Sequence, residues 1–146
     1  MSQEHSLLVD TGVIFSAQQV DSLRLRHSHI ITHFFGLAPP FWTPVSEEIA
    51  LLEGKLKPYL ESATAPAAKV IAARLESYKR QYVGYTDGGK RWIFVNAFCE
   101  WKESDAWHDR LVLVMDGGLC FFTVRYDVPR SRFGNLLINK NVAGGL

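Results

Sequence analysis

The chain has 146 residues, 47% of them hydrophobic, with 16 basic against 15 acidic side chains and a formal net charge of +1. That length and apolar share fit one domain with a sizeable core and exclude a disordered composition. The near-neutral balance gives no electrostatic ground for nucleic acid or an anionic membrane as partner.

The opening residues, Met1-Ser2-Gln3-Glu4-His5, carry an acid and no basic cluster. Leu7-Leu8-Val9 is too short for the apolar core of a signal peptide. No apolar run approaches the roughly 18 residues that cross a bilayer. A soluble cytoplasmic protein is the expectation. Residues 1–36 read as an N-terminal arm or a set of extra elements. Leu7-Leu8-Val9 and Val13-Ile14-Phe15 flank Asp10-Thr11-Gly12 as a short strand pair or an extended arm. The spacing of Val20, Leu23, Ile30 and Phe34 indicates a helix from Ser16 to His33.

Gly36-Leu37-Ala38-Pro39-Pro40 is a break. Thr43 then reads as an N-cap with Pro44 at the first helical position, and Glu47 and Glu48 suit the positive end of the dipole. Val45, Ile49, Leu52, Leu56, Tyr59 and Leu60 step by three or four, which predicts a helix over about 44–61. Pro58 would free the carbonyl of Gly54. A second helix is expected over about 66–80. Its stripe is Ala67, Val70, Ile71, Leu75 and Tyr78, and its solvent face is Lys69, Arg74, Glu76, Lys79 and Arg80.

The period then changes to two. Tyr82–Tyr85 and Arg91–Cys99 flank Asp87-Gly88-Gly89-Lys90, a strong hairpin signal. The two possible loops, Asp87-Gly88 or Gly88-Gly89, differ by two in register, so either puts Val83 and Tyr85 on one face with Trp92, Phe94, Asn96 and Phe98. Tyr82, Ile93, Val95, Ala97 and Cys99 take the other. Residues 100–109 read as a loop. A second hairpin is expected from Leu111–Met115 through Asp116-Gly117-Gly118 into Leu119–Tyr126, and Phe133, Leu136 and Ile138 suggest a last short strand. Both faces are apolar, so each needs a cover. The two helices supply one, and the N-terminal segment or a second copy of the chain supplies the other.

Cys99 and Cys120 would lie at opposite edges of a simple meander, roughly 25–30 Å apart at about 3.3 Å per residue. Two free thiols and a reducing compartment follow. Neither lies in a C-x-x-C pair, so no metal or redox motif is indicated.

Asp10-Thr11-Gly12 after an apolar triplet resembles the active-site triplet of retroviral-type aspartic proteases. That family is nearly all-β and carries a second apolar-apolar-Gly element. Here about 40 residues read as helix and no such element is found, so a turn is the stronger reading. His27, His29 and His33 fall within seven residues, but only His29 and His33 share a helical face, without a matching acid. They read as surface or capping histidines, and no metal is expected.

Asn96 sits between Phe94 and Phe98 on the aromatic face. It either orients a ligand or ties down a neighbouring loop. Arg125, Tyr126 and Asp127 leave the last long strand, with His108 and Asp109 near the start of its expected partner. Asp109 would lie almost opposite Arg125, as a proton-transfer cluster or a surface ion pair. Trp42, Trp92, Trp101 and Trp107 mark either a contact surface or core.

The stretches Trp92–Cys99, Asp116–Asp127 and Phe133–Asn139 resemble small uncharacterised bacterial proteins. The order helix, helix, antiparallel meander is similar to cystatin-like and NTF2-like α+β folds over roughly residues 41–140. That resemblance implies a ligand pocket or a dimer face and carries no catalytic motif. The expectation is one α+β domain, with two helices on a four- to five-stranded antiparallel meander over about 81–140. Its expected function is a non-enzymatic binding or protein-interaction module that dimerises through a sheet face. The alternative is a small enzyme or small-molecule binder with an aromatic pocket around Trp92, Phe94 and Asn96. Candidate ligand-binding residues are Trp92, Phe94, Asn96, Arg125 and Tyr126, with no cofactor.

Overall fold

The computed structural model describes residues 6–99, 105–113 and 118–138. It is an α+β fold built on a six-stranded mixed sheet in the order β1-β2-β3-β4-β5-β6. The strands are β1 (Leu7–Val9), β2 (Gly12–Ile14), β3 (Lys79–Asp87), β4 (Lys90–Phe98), β5 (Phe121–Asp127) and β6 (Arg132–Ile138). All neighbours are antiparallel except β2 and β3. The expected four- to five-stranded pure meander is therefore corrected: the N-terminal strand pair joins the sheet and runs parallel to β3.

Gly12 makes that junction. A Cβ there would stand 1.8 Å from the carbonyl oxygen of Arg80, so only glycine lets β2 lie against β3 at this point. The Asp10-Thr11-Gly12 triplet is thus a hairpin turn with a steric need for its glycine. The β3–β4 hairpin closes as the sequence predicts. Asp87 pairs with Lys90, and Gly88 and Gly89 take φ of 60° and 77°, the left-handed pair that a two-residue type I′ loop requires.

The helices are α1 (Ala17–Arg26), a π-helical turn (His29–Phe34), α2 (Ser46–Ser62) and α3 (Pro66–Ala73). Ser16 caps α1 and exchanges bonds with Gln19, a capping box. The expected Ser16–His33 helix is thus two elements. Thr43 does not cap α2: its hydroxyl accepts the N–H of Ala17 at 2.8 Å. At the start of α2 the Glu48 carboxylate accepts the N–H of Val45 instead. The expected 66–80 helix stops at Ala73, and residues 75–77 form a short 3-10 turn before β3 begins at Lys79. Ile71, Leu75 and Tyr78 of the expected stripe are buried, joined by Ala68 and Ala72, whereas Val70 is exposed. Arg80, expected on the solvent face, is 5% exposed.

Two cores result, one on each side of the sheet. Ile49, Leu52, Leu56 and Leu60 of α2 and Ile71 of α3 bury Tyr82, Ile93, Val95, Phe122 and Val124. On the other side Val83, Tyr85, Phe94 and Phe98 lie under Phe15, Val20, Leu23, Ile31, Phe35 and Leu37, with Trp107 and Leu111 closing the far end. The face assignment read from the sequence holds. The cover of the second face is the chain's own N-terminal segment. A dimer built on either broad face would have to displace a packed layer.

The second hairpin does not form as expected. Residues 111–113 are irregular, and Val114 to Gly117 lie outside the described residues, as does Trp101. β5 pairs directly with β4, Phe98 opposite Phe121. With no strand between them, Cys99 and Cys120 meet at a Cα separation of 4.8 Å and form a disulfide. The free-thiol expectation is corrected, and with it goes the support that free thiols lent to a reducing compartment. No helix among the described residues is long and apolar enough to cross a membrane.

Candidate functional site

Two regions gather polar groups beside a cavity. The larger lies where the β1–β2 turn meets α2 and the start of β3. Two adjoining grooves of about 530 and 460 Å³ share Asp10, Thr11 and Glu53. Between them, Arg80 donates from Nε and Nη2 to the two Glu53 oxygens at 3.2 and 2.8 Å. Its Nη1 donates to the carbonyls of Leu75 and Tyr78. The Tyr82 phenol donates to Glu53 at 2.5 Å and accepts from the Thr11 hydroxyl. Each member thus satisfies another, and the set pins α2 and the β1–β2 turn to β3. The network is a fastening, and the triplet's Thr11 serves it.

Burial, then the charge and hydrogen bond of Glu53, push the Tyr82 phenol far above the ordinary tyrosine range, against the opposing pull of Thr11 and Arg80. The unfolded phenol loses its proton near pH 10, and the native one keeps it. Above about pH 10 the unfolded state therefore binds fewer protons, and stability falls with rising pH by about 1.4 kcal/mol per unit for this group. Below that pH the contribution is present in full. Urea midpoints taken across the alkaline range should fall, and Tyr82→Phe should flatten the slope by about one proton. An unchanged slope in that variant would show that Tyr82 ionises in the native state.

The second region is the hairpin end of the aromatic face. Strand alternation sets Tyr85 and Asp87 of β3, Trp92 of β4 and Arg125 of β5 on one side of the sheet, where Tyr85 pairs with Trp92 and Phe94 with Arg125. The N-terminal cover thins at Gly36 and Ala38 and leaves a cleft of about 190 Å³. Tyr85, Asp87, Trp92, Arg125 and Asn135 line it. The Arg125 guanidinium lies 4.9 Å from the ring centre of Phe94 and 5.3 Å from that of Tyr85. Its Nη2 donates to the carbonyl of Phe35. Two rings and one carbonyl thus fix the cation, by contacts of about 0.5–2 kcal/mol for each ring. No carboxylate within ion-pair distance answers it among the described residues. The indole Nε1 of Trp92 is buried and has no hydrogen-bond partner among them either. The Tyr85 phenol is raised by burial first, lowered by its hydrogen bond to Arg125 and by that charge, and raised by Asp87 and Asp127. At neutral pH it is a hydrogen-bonding group and not a base.

Three of the five residues singled out from the sequence meet here: Trp92 and Arg125 line the cleft, and Phe94 lies beneath the guanidinium. Asn96 does not reach it. Asn96 is fully buried, and its Nδ2 donates at 2.8 Å to Gln81 Oε1 and to the carbonyl of Val112. Gln81 in turn donates to the carbonyls of Trp107 and Arg110 and accepts the N–H of Val112. The two amides tie the 107–112 segment to the sheet, the loop-tying role. Tyr126 is buried on the opposite side, its ring 4.8 Å from that of Phe133. Asp109 is not opposite Arg125, whose neighbours are Phe94 and Gly134. His29 and His33 lie 5.9 Å apart by ring centres on the exposed π-helical turn. No cluster of three or more metal-ligating side chains occurs among the described residues.

Tyr85 and Asp87 are the site residues that sequence reasoning passed over. Their parity with Trp92 across the Gly88-Gly89 loop was the available signal. Comparison with protein-family models, with curated proteins and with solved structures gives no match to this chain.

Proposed function

We propose that this protein is a non-enzymatic binding module that takes a small anionic group in the Tyr85–Trp92–Arg125 cleft. The observation that carries this reading is Arg125: a half-buried guanidinium, clamped over two rings, with no counter-ion within ion-pair distance among the described residues. Partly removing a cation from water without a counter-charge is unfavourable, and a bound anion would offset that cost. The indole N–H of Trp92, another residue of the lining, is buried with no partner among the described residues. About 190 Å³ is the share of roughly six waters, at about 30 Å³ each, which suits a small organic acid and not a nucleotide.

The order α2, α3, then an antiparallel β3–β6 meander supports a likeness to cystatin-like and NTF2-like folds, whose range includes ligand pockets. The parallel β2–β3 junction departs from that plan. A module that associates through a broad sheet face is the weaker reading, since each face already carries a cover.

The test is an amide and indole NMR titration of labelled protein with acetate, benzoate, glycine and inorganic phosphate. The Trp92 indole, assigned by its loss in Trp92→Phe, is expected to shift saturably with at least one carboxylate. Arg125→Lys, which keeps the charge but loses the planar fork, should weaken that binding at least tenfold. No movement of Trp92 or Tyr85 with any of the four would overturn the reading.

A further inference from the structure

The cleft holds a second charge. Asp87, at the last pair of the β3–β4 hairpin, lines the same cavity as Arg125. It has no ion-pair partner among the described residues, although Lys90 is its cross-strand neighbour. Asp127, on the same side of the sheet, is already engaged: it accepts the N–H of Arg130 at 3.3 Å and faces that guanidinium at 4.0 Å. Among the described residues the cleft is therefore lined by one cation and one anion that lack an ion-pair partner.

Resting on the binding role proposed above, we infer that the occupant is a small zwitterion, of the class of a free α-amino acid, whose carboxylate meets Arg125 and whose ammonium meets Asp87. A simple organic acid would satisfy the guanidinium but bring its charge close to Asp87. A simple amine would do the reverse. A molecule carrying both charges a few atoms apart answers both. A cleft of about 190 Å³ suits a molecule of free amino-acid size better than a long peptide.

The experiment is calorimetry and NMR on the full chain with glycine, L-alanine and L-phenylalanine. Each is compared with its N-acetyl derivative, which lacks the ammonium, and its amide, which lacks the carboxylate. The free amino acids should bind at least tenfold tighter than either derivative. Asp87→Asn should abolish the preference over the N-acetyl form while keeping the preference over the amide. It sits beside an exposed turn, so its folding is checked by an unchanged amide spectrum. If N-acetyl derivatives bind as well as the free amino acids, the zwitterion is refuted and the anion site stands. If the amides bind as well as the free forms, the anion site falls as well. If nothing moves Trp92, both proposals are overturned.

Discussion

Glu53→Ala is expected to destabilise the protein by about 3–5 kcal/mol, the range for stripping one partner from a buried ion pair. Arg80 is 5% exposed and Glu53 14%. Removing the carboxylate leaves the guanidinium with two backbone carbonyls and no counter-charge, and takes the acceptor from Tyr82. The loss reaches three elements at once, because Glu53 belongs to α2, Arg80 and Tyr82 to β3, and Thr11 to the β1–β2 turn. The reverse comparison separates the cost of an orphaned charge from the worth of the pair. Replacing both partners together, Glu53→Leu with Arg80→Met, should cost clearly less than Glu53→Ala alone, since it leaves no unpaired charge. Chemical denaturation of the two variants and the parent decides this. Equal losses in the single and double variants would mean that packing, not charge, holds the junction.

The same residue shows why part of the fold is legible in the sequence and part is not. Arg80 falls on the polar stripe of a helix that the 3.6 period extends to residue 80. Nothing local says that the helix stops at Ala73, because Arg74 and Glu76 continue a plausible surface. What ends it is the sheet, which takes Lys79 onward as β3 and turns Arg80 inward to Glu53, 27 residues earlier. Tertiary pairing overrides a local pattern of ordinary strength. The β3–β4 hairpin is the opposite case. Gly-Gly between alternating runs leaves two registers, closed by Asp87-Gly88 or by Gly88-Gly89, and because they differ by two residues both set every face correctly, including Tyr85 beside Trp92. Only the Gly88-Gly89 loop that the structure adopts places Gln81 opposite Asn96, so the buried amide pair follows from the choice of loop.

The errors beyond β4 share one cause. Leu111-Val112-Leu113-Val114-Met115 has strand composition, and Asp116-Gly117-Gly118 reads as its turn. Yet Leu111 and Val112 are buried against the aromatic face, and the backbone of Val112 is held by Gln81 and Asn96. Side-chain amides satisfy groups that a ladder would otherwise claim. Composition does not distinguish a strand from a segment pinned in this way. Once it is miscounted as a strand, the cysteines are put at opposite edges of the sheet and Asp109 beside Arg125. The cleft was readable only in outline: parity gives Arg125, Trp92 and Phe94 a common side, and only the path of residues 35–38 decides what remains uncovered.

Reduction of Cys99–Cys120, or Cys99→Ser with Cys120→Ser, is expected to lower stability by about 3 kcal/mol. The bridge joins positions 21 residues apart, and closing a loop of that size removes roughly that much chain entropy from the unfolded state. The native fold should survive the loss. Cys99 still donates its N–H to the carbonyl of Cys120 at 2.9 Å, the Tyr78 hydroxyl still donates to the carbonyl of Leu119, and the two amides still hold residues 107–112. The effect should therefore appear as a shifted denaturation midpoint with a near-native spectrum. Each single serine variant should match the double one, because either change opens the same loop. The bridge itself is checked by alkylating the denatured protein under mass spectrometry. Both cysteines should label only after reduction, and labelling of the unreduced chain would return the sheet to a topology that keeps them apart. A persistent bridge would also argue for an oxidising compartment over the cytoplasm, since structural disulfides are rare where thiols are kept reduced.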